Sequence, residues 1–149
     1  MPDHGAILDE VEAAYRHYVE VFNRRDPQEI AELYHRPHAQ VIGDVGLSIV
    51  TGDVEQEQWY ELVMAYLDDQ GWDRTEIDKM WVWPLSPTLA QLVADVTRYK
   101  ADGSVLNHVR ANYTLCRRQG VWKMVLSFPL LEQGFDVPTV PTKEDSERP

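Results

Sequence analysis

Cysteine is almost absent from this chain of 149 residues: Cys116 stands alone. Without a second thiol there is no intramolecular disulfide and no thiolate zinc site, and a lone buried thiol with no base beside it in sequence is inert. Long apolar runs are missing too. No stretch approaches the roughly 20 residues that span a bilayer as a helix, and Met1 to Glu10 is acidic, without the apolar segment of a signal peptide. Positive charge is scarce. Fourteen Lys and Arg against 25 Asp and Glu leave a net charge of -11, which disfavours nucleic acid and anionic membranes as partners. The expectation is a soluble cytoplasmic protein. No glycine-rich phosphate loop follows a candidate strand, and no serine sits in a nucleophile elbow. His35 and His38 flank Pro37 with no third ligand in view, which suits surface histidines at a helix end better than a metal site. No cofactor and no metal are expected.

What the chain does hold is aromatic side chains, including seven Tyr and five Trp. Its length fits one domain with a sizeable core. Ile7, Val11, Ala14 or Tyr15, Tyr18 and Phe22 recur at helical spacing, with acidic residues early and Arg24 and Arg25 late. Asp26-Pro27 reads as an N-cap followed by Pro at the first helical position, opening a short helix through Ile30, Leu33 and Tyr34. Ala39–Ile42 and Leu47–Val50 flank a Gly43-Asp-Val-Gly46 turn as a hairpin. Asp53 is placed to cap a third helix to about Asp69, with Val54, Trp59 or Tyr60, Val63, Tyr66 and Leu67 inward and an acidic run outward. Four strands follow, Arg74–Trp83, Thr88–Lys100, Val105–Arg117 and Val121–Phe128, joined by short turns as an antiparallel meander. From Val137 the chain is Pro-rich with little to bury, so 1–136 is expected to form the domain and 137–149 a disordered tail. The order of elements is α+β.

Tyr18, Tyr34 and Tyr60 each fall where a helix turns its apolar face inward. A buried phenol needs a hydrogen-bond partner, so three phenols in one cavity would form a donor network able to hold an oxyanion; packing aromatics would occupy the same positions. On the strand from Val105, one face carries His108, Arg110, Asn112, Thr114 and Cys116, the other Val109, Ala111, Tyr113 and Leu115. Either face is open as the pocket wall, since amphipathic strands usually bury the apolar side. Trp81 and Trp83 share a strand face with Lys79, a patch suited to dimerisation.

Tyr18-Val-Glu-Val-Phe-Asn-Arg-Arg-Asp26, Ile30-Ala-Glu-Leu-Tyr34, Thr51-Gly-Asp53 and Tyr113-Thr-Leu-Cys-Arg-Arg-Gln-Gly-Val-Trp-Lys123 occur in an order and spacing that resembles the nuclear transport factor 2-like superfamily. The similarity covers roughly residues 8–128 and includes its SnoaL-like polyketide cyclases and ketosteroid isomerases. The resemblance implies a curved antiparallel sheet wrapped around N-terminal helices as a cone with an internal pocket, and a homodimer. It places Tyr18 on the isomerases' oxyanion-hole tyrosine, Tyr34 and Tyr60 on the tyrosines behind it, and Asn112 on the second donor. The isomerases' proton-shuttling Asp falls on Ile42 or Gly43, with Asp44 one or two positions away. The resemblance therefore implies general acid–base chemistry, an isomerase, dehydratase or cyclase acting on a hydrophobic oxygenated molecule of polyketide, steroid or terpenoid type. Tyr18 and Asn112 would be donors, Asp44 or His108 would move the proton, and Tyr15, Phe22, Tyr34, Trp59, Tyr60 and Arg110 would line the ligand. His108 and Asn112 also resemble residues of scytalone dehydratase-like members. A binding domain without turnover, or an interaction domain with a closed core, is the alternative from the same sequence.

Overall fold

A computed structural model describes residues 3–42 and 46–131 of the chain; Asp44 and the segment 137–149 lie outside the described residues. The element order is α1 (His4–Asn23), α2 (Pro27–Ala31), β1 (Tyr34–Ile42), β2 (Gly46–Val50), α3 (Asp53–Asp69), β3 (Trp72–Ser86), β4 (Leu89–Lys100), β5 (Val105–Arg118) and β6 (Val121–Leu131).

Helix α1 follows from its pattern. Ile7, Val11, Tyr15, Tyr18 and Phe22 are buried one turn apart, giving the apolar stripe that a sheet can cover. Asp3 caps it by accepting from the Ala6 N–H at 2.7 Å, satisfying one of the orphan donors at a helix start. Asp26 caps α2 as expected, accepting from Gln28 N at 2.9 Å with Pro27 behind it. Asp53 does not cap α3. Gly52 holds that position with no side-chain bond, and Asp53 is the first helical residue, 2.9 Å from Arg36.

The six strands form one sheet in the order β2-β1-β6-β5-β4-β3. The meander β3-β4-β5-β6 is antiparallel throughout, with Val96 opposite Val109 and Ala94 opposite Ala111. The expected all-antiparallel sheet is corrected at one seam: β1 pairs with β6 in parallel, so the sheet is mixed. The fold is α+β, a curved, unclosed sheet with α1 against its inner face. Ala90, Leu92, Ala94 and Val96 of β4 and Val109, Ala111 and Leu115 of β5 are buried on that face with the α1 stripe. Truncating one fully buried leucine there, such as Leu92 or Leu115, costs about 2–5 kcal/mol in comparable cores.

Further expectations for local structure change: Val54 and Tyr66, expected inward on α3, are 67% and 58% exposed, because α3 turns Tyr60, Met64 and Leu67 to the core instead. Tyr34, expected to end the second helix, instead begins β1, because the Leu33 carbonyl accepts from Met124 N at 3.1 Å and draws the chain onto β6. His38, expected at the surface, is 2% exposed. The acidic side of α3 is solvated as expected, with Asp53, Glu55, Glu61, Asp68 and Asp69 exposed.

Candidate functional site

A cavity of about 50 Å³ lies between α1 and the inner face of the sheet. Helix α1 contributes Tyr15, Tyr18, Val19 and Phe22; β3 gives Thr75; β4 gives Val96 and Arg98; β5 gives Val109, Ala111 and Tyr113; β6 gives Pro129. The tyrosine rings form one cluster: centroids are 5.5 Å apart for Tyr15–Tyr113, 5.7 Å for Tyr18–Tyr113 and 5.8 Å for Tyr15–Tyr18. These spacings fall in the range where aromatic pairs attract beyond simple area burial.

Behind Tyr18 runs a buried polar chain. The hydroxyls of Tyr18 and Tyr34 are 3.0 Å apart, and the Tyr34 ring lies 4.9 Å from that of Tyr60. Gln40 Nε2 donates to the Tyr60 hydroxyl at 2.9 Å and stands 3.1 Å from His38 Nε2. His38 Nδ1 is 3.0 Å from Gln56 Oε1, and Gln56 Nε2 donates to the Ala31 carbonyl. One assignment satisfies every group: His38 Nδ1–H donates to Gln56, its bare Nε2 accepts from Gln40, and the second Gln40 proton goes to Tyr60. A doubly protonated His38 would turn a donor on the Gln40 amide. Burial lowers the His38 pKa, against the hydrogen bond to Gln56, which raises it, so the neutral imidazole belongs to this arrangement.

The same desolvation acts on the phenols. Burial pushes Tyr15, Tyr18, Tyr34, Tyr60 and Tyr113 well above the ordinary value, with neighbouring phenols adding to the rise. They are neutral hydroxyls that donate and accept.

The expected site residues divide between two faces of the sheet. Tyr15, Tyr18 and Phe22 line the cavity; Tyr34 and Tyr60 stand behind Tyr18 in the polar chain. Trp59 packs partly buried against the core outside the cavity wall. Strand β5 takes the register opposite to the isomerase-like one: Val109, Ala111 and Tyr113 face the cavity, and His108, Arg110 and Asn112 face outward. Hydrophobic burial decides this, since inward placement of the polar set would leave Val109, Ala111 and Leu115 in water. Outside, Arg110 holds Asp95 through two bonds of 2.7 and 2.9 Å. Asn112 donates to the Phe128 carbonyl at 3.2 Å. His108 Nδ1 stands 2.9 Å from Thr97 Oγ1, which donates to Asp78. Neither Asn112 nor His108 joins Tyr18 at the cavity.

The sequence names Tyr113 only on the alternative face of β5, and gives none of Val19, Thr75, Val96, Arg98 and Pro129 as a pocket residue. Arg98 carried a signal: Ala90, Leu92, Ala94 and Val96 alternate toward the core, and Arg98 is the next residue in that register. A cation there points where apolar side chains point. Removal from water lowers its pKa, countered by the nearby phenols, although a guanidinium stays charged at any ordinary pH. Among the described residues no carboxylate forms an ion pair with it. No group of three or more His, Cys, Asp or Glu side chains suited to a metal ion occurs among the described residues.

The architecture has relatives. A family described as NTF2-like protein (DUF6841) matches residues 9–130. An NTF2-like protein of unknown function from Pseudomonas putida superposes with a TM-score of 0.71 at 15% identity, over 93% of this chain and 95% of that one. A Nostoc punctiforme protein of unknown function with a cystatin-like fold gives 0.70 at 14% identity, over 90% and 96%. Aln2 from a Streptomyces species gives 0.65 at 20% identity, over 89% and 94%. At these identities the likeness is one of fold. No curated protein matches by sequence.

Proposed function

The chain belongs to the NTF2-like family DUF6841, and we propose that it is a small-molecule-binding domain whose ligand sits between α1 and the inner sheet face. One observation carries this reading: Tyr18 lines a largely apolar cavity while its hydroxyl meets that of Tyr34 at 3.0 Å. Either hydroxyl of that pair can be the donor; where Tyr34 donates, the Tyr18 proton is left for an oxygen of the ligand. The side chains that line the cavity among the described residues include no carboxylate and no imidazole, which favours binding over acid–base turnover. The walls suit an apolar body bearing an oxygen. Its size is bounded by the cavity, since drug-sized ligands occupy roughly 300–1,000 Å³ and about 50 Å³ is present; a small molecule fits this better than a steroid.

The outer sheet face supports a homodimer as part of the same reading. Trp83, Val93 and Phe128, all partly exposed, lie on neighbouring strands of that face, beside Trp81, which is itself buried with Lys79 and Arg110 over its ring. Such apolar surface rimmed by charge is typical of an interface between subunits.

The test is a thermal-shift panel of small ketones, amides, phenols and carboxylic acids, repeated on Ala111→Trp, which fills the cavity. A ligand at 100 times its Kd adds about 2.7 kcal/mol, roughly 5–10 °C here. Shifts lost in Ala111→Trp are expected. A panel flat for every class, or shifts that survive the filled cavity, would remove the pocket as a binding site.

A further inference from the structure

We infer that the cavity recognises an anion, and that its ligand is a small aliphatic monocarboxylate whose carboxylate sits on Arg98 and whose short chain lies against Tyr18, Phe22 and Val109. The inference rests on the binding reading above and names the ligand class of the same site.

The first ground is the pairing of arginines. In a chain of net charge -11, acidic partners are abundant. Arg24, Arg25, Arg36, Arg74, Arg110 and Arg117 each stand within ion-pair distance of a described Asp or Glu. Arg16 and Arg118, which have none among the described residues, are exposed and solvated. Of the nine arginines among the described residues, Arg98 alone combines partial burial, a cavity lining and no such partner. Withdrawing part of a guanidinium from water with no described carboxylate beside it has a cost, which a ligand carboxylate would offset.

The second ground is the shape and charge of the lining. The guanidinium fork matches a carboxylate with two parallel N–H···O bonds. Around it stand the neutral hydroxyls of Tyr15, Tyr18 and Tyr113, able to donate to the carboxylate's remaining lone pairs. A phosphate dianion would meet one cation in a strongly acidic protein, whereas a monoanion is neutralised by Arg98 alone. The rest of the lining is apolar, and about 50 Å³ leaves room for a few carbons.

The experiment is an NMR titration of the 15N-labelled full chain with butyrate and, separately, with butyramide, which has the same skeleton and no charge. Butyrate is expected to shift the Arg98 Nε–H resonance and the cavity amides, roughly tenfold to a hundredfold tighter than butyramide, the range of a charge-assisted bidentate contact. Arg98→Met should abolish that preference, while Arg16→Met should leave it intact. Without ligand, Arg98→Met should melt above wild type, since it removes an uncompensated half-buried charge. Equal binding of acid and amide overturns the anion inference and leaves the pocket reading standing. Retained acid preference in Arg98→Met overturns it as well. Binding of neither probe, alongside a flat thermal panel, fails both. If Arg98→Met does not fold, the acid-to-amide ratio on wild type decides alone.

Discussion

Asn23 and Thr75 hold each other from both ends of one amide: Asn23 Nδ2 donates to the Thr75 carbonyl at 2.9 Å, and Thr75 N–H donates to Asn23 Oδ1 at 2.9 Å. The pair pins the C-terminal end of α1 to β3 beside the cavity wall. Asn23→Ala leaves two partly buried backbone groups without partners, so about 2–3 kcal/mol of stability should be lost. Asn23→Asp, which keeps the acceptor and loses the donor, should fall between the two. Urea midpoints of the three proteins check the order.

Tyr18 and Tyr34 share one hydrogen bond in a dry setting. Tyr18→Phe and Tyr34→Phe should each cost about 1–2 kcal/mol, because each strands the other hydroxyl. The double variant should cost less than the sum, with a coupling of about 1 kcal/mol. Strict additivity in denaturation would show that the two hydroxyls do not interact.

His38 should make the fold sensitive to mild acid. Its folded pKa lies below the ordinary value through burial, so between the two values the unfolded chain holds the extra proton. Stability is then present above about pH 6.5 and is lost as pH falls toward the folded pKa. Wild type should lose stability between pH 7.5 and 5.5. His38→Gln, weaker at pH 7.5, should show a flatter slope, readable from urea midpoints at both pH values.

The phenols act at the other extreme. For Tyr15, Tyr18, Tyr34, Tyr60 and Tyr113 the folded pKa is raised by burial, so the unfolded chain releases protons near pH 10 while the fold retains them. Stability should therefore fall as pH rises above about 10. An absorbance titration at the phenolate band should show these five ionising together with unfolding, not before it.

The outer face gives a test of assembly. Trp83→Glu combined with Phe128→Glu places two carboxylates where Trp83 and Phe128 stand on that face. Wild type should sediment as a dimer and the variant as a monomer, with the inner cavity and its ligand response unchanged.

Much of the fold was legible because hydrophobic period and turn chemistry agree along most of the chain. The stripe from Ile7 to Phe22, the Asp26-Pro27 cap and the four-strand meander are local signals, and they are present in the structure within a few residues. Tyr34 was misplaced because helical spacing from Pro27 runs through it, and only a distant partner in the chain, Met124, makes it a strand residue. The wall formed by β5 was ambiguous because both of its faces alternate cleanly; what decides is the apolar face of β4 opposite, which alternation within β5 cannot report. His38, Gln40 and Gln56 were invisible for a different reason. Each is polar and fully enclosed, and each is satisfied by the other two or by their neighbours. A pattern that reads polar as outward has no means of finding them.

The parallel seam between β1 and β6 also sets an order of assembly. In the sheet, the last described strand to leave the ribosome sits at the centre, with the β1–β2 hairpin on one flank and the older meander on the other. The hairpin cannot dock until β6 has been synthesised, since that strand is its sole link to the rest of the described sheet. Until then an unpaired strand edge and the apolar flank of α1 stay open, a stage at which nascent chains are prone to mispair. The C-terminal strand therefore acts as the closing stitch of biosynthesis, and substitutions there should reduce the yield of folded protein more than their effect on the finished domain would suggest.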